Sequence, residues 1–248
     1  MRRPIIAGNW KMNKTIAESK RDAKAVSACA SKDVDIIIFP QFMALAAVKE
    51  AISGTAIKVG AQDIWHEDAG AFTGEISASM VKETSQYSLV GHSERRQLFG
   101  ETDAIVNLKV KACTRNSLTP VLCVGETLEE REKEKTLKVV TRQLKSGLDG
   151  FDPAHELIIA YEPVWAIGTG KTASSAQAQE VHAAIRRILL GLFGEKFSQS
   201  TRILYGGSVK PDNIAELLSK EDIDGGLVGG ASLSPDSFIA LIKHCREI

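Results

Sequence analysis

Apolar residues in this chain gather in short runs separated by longer stretches of mixed polarity. Eight of the runs predict strands: Ile5 to Gly8, Asp35 to Phe39, Ile57 to Ala61, Ser88 to Gly91, Pro120 to Val124, Leu157 to Tyr161, Arg202 to Tyr205 and Gly226 to Val228. Several show no alternation; Ile36-Ile37-Ile38-Phe39 and Leu157-Ile158-Ile159-Ala160 are apolar at every position. Such strands are covered on both faces, as in a parallel sheet flanked by helices. The intervening stretches have helical period. Leu137, Val140, Leu144 and Leu148 recur every three or four residues in a predicted helix over 128–148, with Glu129 and Lys133 as an i,i+4 pair on its other face. The charge run Glu129 to Lys135 reads as the solvated side of that helix. Val181, Ile185, Ile188 and Leu192 repeat the spacing, as do Phe238, Leu241, Ile242 and Cys245 behind a Ser234-Pro235 start signal.

Eight strands alternating with eight helix-capable segments over 248 residues give units of roughly 30 residues, the length of one βα step. No Pro/Gly/Ser-rich linker interrupts the series. The pattern therefore predicts the α/β class and a single (β/α)8 barrel domain over residues 1–248, with a doubly wound open sheet as the alternative.

Composition narrows the function classes. With 44% hydrophobic and 25% charged residues the chain has the makeup of a globular protein rather than a disordered one. Its 31 Lys+Arg balance 31 Asp+Glu, so nothing in the totals favours a nucleic-acid or membrane-surface partner. The longest apolar run, Phe42 to Val48, falls well short of the ~20 residues that span a bilayer. The N-terminal apolar stretch is too brief for a signal peptide, and a cytoplasmic location is expected. Cys29, Cys113, Cys123 and Cys245 form no C-x-x-C pair and the five histidines show no metal-binding spacing, so reduced thiols and no bound metal are expected.

In a barrel of this kind, chemistry collects where strands end. Strand one is followed by Asn9-Trp10-Lys11, strand four by His92-Ser93-Glu94-Arg95, strand five runs through Cys123 to Glu126, and strand six is followed by Glu162-Pro163. The last two strands end instead in Gly206-Gly207-Ser208 and Gly229-Gly230-Ala231-Ser232, where close backbone approach and N–H groups suit a phosphate, or a tight turn. Glu162 and His92, two titratable groups, and Lys11 thus face one cavity as an acid/base set beside an anion site. Two other motifs are rejected. Gly170-Lys171-Thr172 resembles the end of a P-loop, but Trp165 stands where that loop needs glycine. Gly91-His92-Ser93 resembles a nucleophile elbow, but Arg95 stands where its second glycine belongs. Cys123 has no basic neighbour in sequence and reads as a small buried apolar residue.

Five segments in order along the chain resemble the triosephosphate isomerase family: Gly8 to Asn13, Gly91 to Arg96, Ala160 to Lys171, Tyr205 to Val209 and Gly229 to Leu233, with Gly70 to Glu75 after strand three. The resemblance implies a TIM barrel that interconverts dihydroxyacetone phosphate and D-glyceraldehyde 3-phosphate without a cofactor. It implies Glu162 as the base and His92, neutral at a helix start, as the group that polarises the carbonyl. Lys11 and Asn9 would give electrostatic support. Glu94 would partner Lys11, and Cys123 would pack behind the base. Lys11 and the backbone of Gly168, Ser208, Gly229 and Gly230 would hold the phosphate. Pro163 to Thr172 would be a lid, with Pro163 and Lys171-Thr172-Ala173 as hinges. A homodimer is implied too, its loop Phe72-Thr73-Gly74-Glu75 inserting beside the partner's Asn9 and the partner's Lys11. Another phosphate-binding barrel enzyme would share the last two strand ends without the segment after Glu162. An idle scaffold of the same fold would lack one of Lys11, His92 or Glu162.

Overall fold

The computed structural model describes residues 2–167 and 173–246. Strands β1 (Ile5–Asn9), β2 (Asp35–Phe39), β3 (Lys58–Ala61), β4 (Tyr87–Val90), β5 (Thr119–Val124), β6 (Ile158–Tyr161), β7 (Arg202–Tyr205) and β8 (Gly225–Val228) pair in chain order and close into a barrel. Every ladder is parallel, and β1 meets β8 with Ile5 opposite Gly225. Closure excludes the open-sheet alternative.

The unbroken apolar runs are explained by two cores. Ile5, Ala7, Ile37, Phe39, Leu89, Val121, Ile158 and Leu204 fill the barrel interior. Their neighbours Ile6, Ile36, Ile38, Val90, Leu122 and Ile159 point outward and pack against the helix ring through Val26, Val48, Val110, Leu144, Ile185 and Leu241. Each large side chain so buried contributes ~1.5–3 kcal/mol relative to exposure. No described helix is long and apolar enough to cross a membrane.

The strand predictions shift by a residue at several ends, as at β4, which runs from Tyr87 to Val90 rather than Ser88 to Gly91. Gly91 leaves the sheet because its φ of 70° starts the turn into the next helix. The helices depart further. The predicted helix over 128–148 is two, Leu128–Glu132 and Thr136–Gly147, separated at Glu134, whose φ is 54°. The Glu129–Lys133 pair forms on the first of them. In the second, the buried face is Val139, Val140, Gln143 and Leu144, and Leu137 is 44% exposed because the break places it in a new first turn. Leu192 is likewise exposed, the helix Ser175–Phe193 burying Leu189 instead. The expectation of eight helical segments also fails between β4 and β5, where Ser93–Leu98 and Asp103–Arg115 form separately. There the 99–102 stretch ends in Thr102, whose side chain accepts from the Ile105 N–H and starts the second helix.

Candidate active site

The turns that leave β1, β4, β6, β7 and β8 enclose a cavity of about 420 Å³ at the C-terminal mouth, within the usual range for small-molecule sites. Asn9, Lys11, His92, Glu162, Ser208, Gly229 and Gly230 all line it. Of the groups expected to hold phosphate, Gly168 lies outside the described residues, as do Lys171 and Thr172 of the expected hinge.

Glu162 is the first residue past β6 and is 2% exposed. Its position depends on two glycines. A Cβ on Gly125 would stand 1.7 Å from the Glu162 carbonyl oxygen, and one on Gly206 2.9 Å from Glu162 Cγ. Side chains there would push β5 and β7 off the carboxylate. The carboxylate accepts from the Ser93 N–H at 2.9 Å through Oε2, while Oε1 lies 2.9 Å from His92 Nε2. Burial raises its pKa, but the imidazole and the Ser93 N–H outweigh that and hold it below the ordinary 4.5.

His92 is the N-cap of Ser93–Leu98, and its Nδ1 accepts from the Glu94 N–H at 3.3 Å. That contact assigns the ring proton to Nε2, which donates to Glu162. Burial lowers the His92 pKa, yet the Glu162 carboxylate raises it above 6.5 on balance. The Glu94 N–H opposes the second proton, since an imidazolium would set two donors face to face. The neutral Nε2–H ring satisfies both contacts, and the Glu94 carboxylate adds a smaller raising influence on the ring.

Lys11 has a φ of 51° and sends Nζ to Glu94 Oε1 at 2.6 Å. Its backbone N–H donates to Asn9 Oδ1 at 2.9 Å, and Asn9 Nδ2 stands 3.4 Å from His92 Nε2. The β1 and β4 turns are thus tied together through four polar side chains. Cys123 sits in the barrel interior with its thiol pushed far above the ordinary range, first by burial and then by Glu162, which disfavours a thiolate there.

Sequence reading placed Glu126 at the end of strand five and gave it no role. Its buried carboxylate accepts from Tyr161 OH at 3.2 and 3.1 Å, from Trp165 Nε1 at 3.0 Å and from Arg131 Nη1 at 3.1 Å. Its carbonyl takes the Val164 N–H, so Glu126 holds the start of the segment after Pro163. The available signal was a carboxylate two residues beyond an apolar strand. Lys210, which also lines the cavity, was passed over as well. So was the cluster of buried Lys109 with Asp63 and Glu101 that braces Arg95.

In the Phe72 loop, the Glu75 N–H donates to the Phe72 carbonyl at 3.0 Å and Gly74 has a φ of 99°, which makes a tight turn. Phe72 packs on Trp65 with centroids 5.4 Å apart and stays partly exposed. Met12 at 95% and Phe99 at 66% exposure stand beside a second cavity, of about 200 Å³, lined by Asn9, Lys11, Gln62, Glu94 and Arg95.

The triosephosphate isomerase family model matches residues 4–245. The chain is 54% identical over 251 residues to triosephosphate isomerase of Prosthecochloris aestuarii, covering 100% of both chains. It is 54% identical over 249 residues to that of Moorella thermoacetica, covering 98% of this chain and 99% of the relative. Among solved structures, triosephosphate isomerase from Bartonella henselae superposes with a TM-score of 0.91 at 43% identity, covering 98% of this chain and 99% of that one.

Proposed function

The chain belongs to the triosephosphate isomerase family, and from that premise we propose how its mouth cavity performs the family's reaction. The protein is an aldose–ketose isomerase that interconverts dihydroxyacetone phosphate and D-glyceraldehyde 3-phosphate, a step of glycolysis. The observation that supports the assignment of roles is the convergence of Glu162, His92 and Lys11 on one cavity that Gly206, Gly207, Gly229 and Gly230 also line.

Starting from the aldehyde, Glu162 leaves His92 and Ser93 and removes the proton from C2, next to the carbonyl. Electrons move onto the C1 oxygen, and His92 meets that oxygen through Nε2–H. The Lys11 ammonium and the Asn9 amide stabilise the charge that develops there, a kind of contribution worth ~10²–10³ in rate per donor. His92 then moves a proton between the two oxygens of the enediol(ate). Glu162 returns its proton to C1, which leaves the ketone at C2 and balances the reaction. The phosphate dianion is held by N–H groups at Ser208, Gly229 and Gly230 and by Lys11, and Gly168 joins them in the same reading. The segment from Pro163 closes over the intermediate, since an enediol(ate) exposed to water can expel its phosphate. Triosephosphate isomerases are a standing example of such closure. A coupled assay of glyceraldehyde 3-phosphate isomerisation with and without chelator tests the whole. Turnover unchanged by chelator supports it; absence of turnover, or its loss with chelator, overturns it.

The same reading makes the chain one folding unit, places it in the cytoplasm and pairs it as a homodimer. Exposed Met12 and Phe99 at the second cavity support the pairing, because that cavity suits the tip of a partner's loop. Sedimentation at micromolar concentration is expected to give twice 26.8 kDa. A persistent, fully active monomer overturns the dimer.

A further inference from the structure

We propose that Lys14 is a positioning residue for phosphate binding: its buried ammonium clamps the turn after β1, which carries Lys11, onto the turn after β8, which carries Gly229 and Gly230. The inference rests on the phosphate reading given above.

Lys14 does not line the cavity, and its side chain is only 9% exposed. An ammonium placed there needs partners for its N–H groups. It donates to the Leu233 carbonyl at 2.6 Å, pairs with the equally buried carboxylate of Asp22, and lies 4.8 Å from the centroid of the Trp10 ring. Asp22 belongs to the helix Ile16–Ser27, Trp10 adjoins Lys11, and Leu233 closes the 3-10 turn Gly230–Ser232. One nitrogen therefore joins three elements, two of which end in phosphate-holding groups.

Two further contacts cross the same seam. Ser232 Oγ lies 2.7 Å from the Gly229 carbonyl and 3.4 Å from that of Asn9, and a Cβ on Gly229 would come within 3.3 Å of Lys11 Cε. The Lys11 side chain thus runs directly over the β8 turn, and a small slip between the two turns would separate ammonium from N–H donors. Lys14 also has a φ of 70°, close to the 51° of Lys11. Glycine would take that backbone with less strain, so a lysine there is held by what its ammonium reaches.

Calorimetry with 2-phosphoglycolate, alongside steady-state kinetics, tests the clamp. Both substrate and transition state carry the phosphate, so Lys14→Met is expected to weaken binding and raise KM by about tenfold while kcat changes less than about threefold. Lys14→Met also leaves Asp22 with only Arg21, 2.8 Å away, and will lower the thermal midpoint. Lys14→Met/Asp22→Asn removes the stranded carboxylate. It is expected to recover the midpoint and not the affinity. Parent-like binding by Lys14→Met, or recovery of affinity with stability in the double variant, overturns the clamp. Lys11→Met separates the two readings. If it binds 2-phosphoglycolate as the parent does, the phosphate assignment itself fails; if it loses binding while Lys14→Met does not, only the clamp fails.

Discussion

Two buried carboxylates follow neighbouring strands of this barrel, Glu126 beyond β5 and Glu162 beyond β6, and they are held in different ways. Glu126 takes its hydrogen bonds from a phenol, an indole and a guanidinium, none of which changes charge near neutral pH. Glu162 takes one bond from a backbone N–H and one from an imidazole that itself faces the cavity. Burial alone does not separate structure from chemistry here. The donors do: a carboxylate saturated by fixed groups stays where it is, whereas one shared with a titratable ring can trade its proton and move.

The largest effect that the contrast predicts is on Glu162. Glu162→Gln keeps the volume and the bond from Ser93, so folding is expected to survive, while kcat falls by ~10²–10⁴ or more, the usual worth of a general base. Near-parent kcat in a folded variant would remove Glu162 from that role. Glu126→Gln should cost far less. It weakens the grip on Trp165 and Arg131, and a loss of about tenfold in kcat/KM matches one hydrogen bond to a charged group, ~1.5 kcal/mol. The emission of Trp165, which is stacked under Arg131 at 4.7 Å, should change with it. If Glu126→Gln were as damaging to kcat as Glu162→Gln, the distinction between holding and reacting carboxylates would collapse.

The sequence made one of these carboxylates far easier to read than the other. Glu162 is adjacent to an unbroken apolar strand and lies within the segment that most resembles the family, so both its place and its chemistry were visible. Glu126 lies two residues beyond its strand, and its partners come from β6, the helix Leu128–Glu132 and Trp165. Those contacts are set by the curvature of the closed barrel, which no local pattern encodes. The strands were legible for a related reason: residues such as Ile37 and Ile38 belong to different cores, and only a two-sided sheet asks for both. Leu137 misled because a helical period does not reveal a break at Glu134 that resets which face looks inward. Nothing local in the sequence singles out Lys14, because its burial is produced by Leu233 and Asp22 from elsewhere in the chain.

The smallest predicted effect is also the most direct check on how Glu162 is held. Its folded pKa lies below 4.5, so the stability it gains from His92 is present above that value and is lost as pH falls through the lowered one. The His92 pKa lies above 6.5 while Glu162 is beside it, so its contribution is complete below 6.5 and is lost as pH rises through the raised value. Both are fully present only between pH 4.5 and 6.5. A double-mutant cycle with His92→Gln and Glu162→Gln, read by chemical denaturation, is therefore expected to give its greatest coupling in that window and to weaken on either side. Above the window the neutral Nε2–H ring still donates to the carboxylate, so the coupling should fall without vanishing. Below it the protonated carboxyl loses the attraction altogether. A coupling that is constant with pH, or that grows above 6.5, would mean that the carboxylate is held by fixed donors after all, and that Glu162 differs from Glu126 only in where it points.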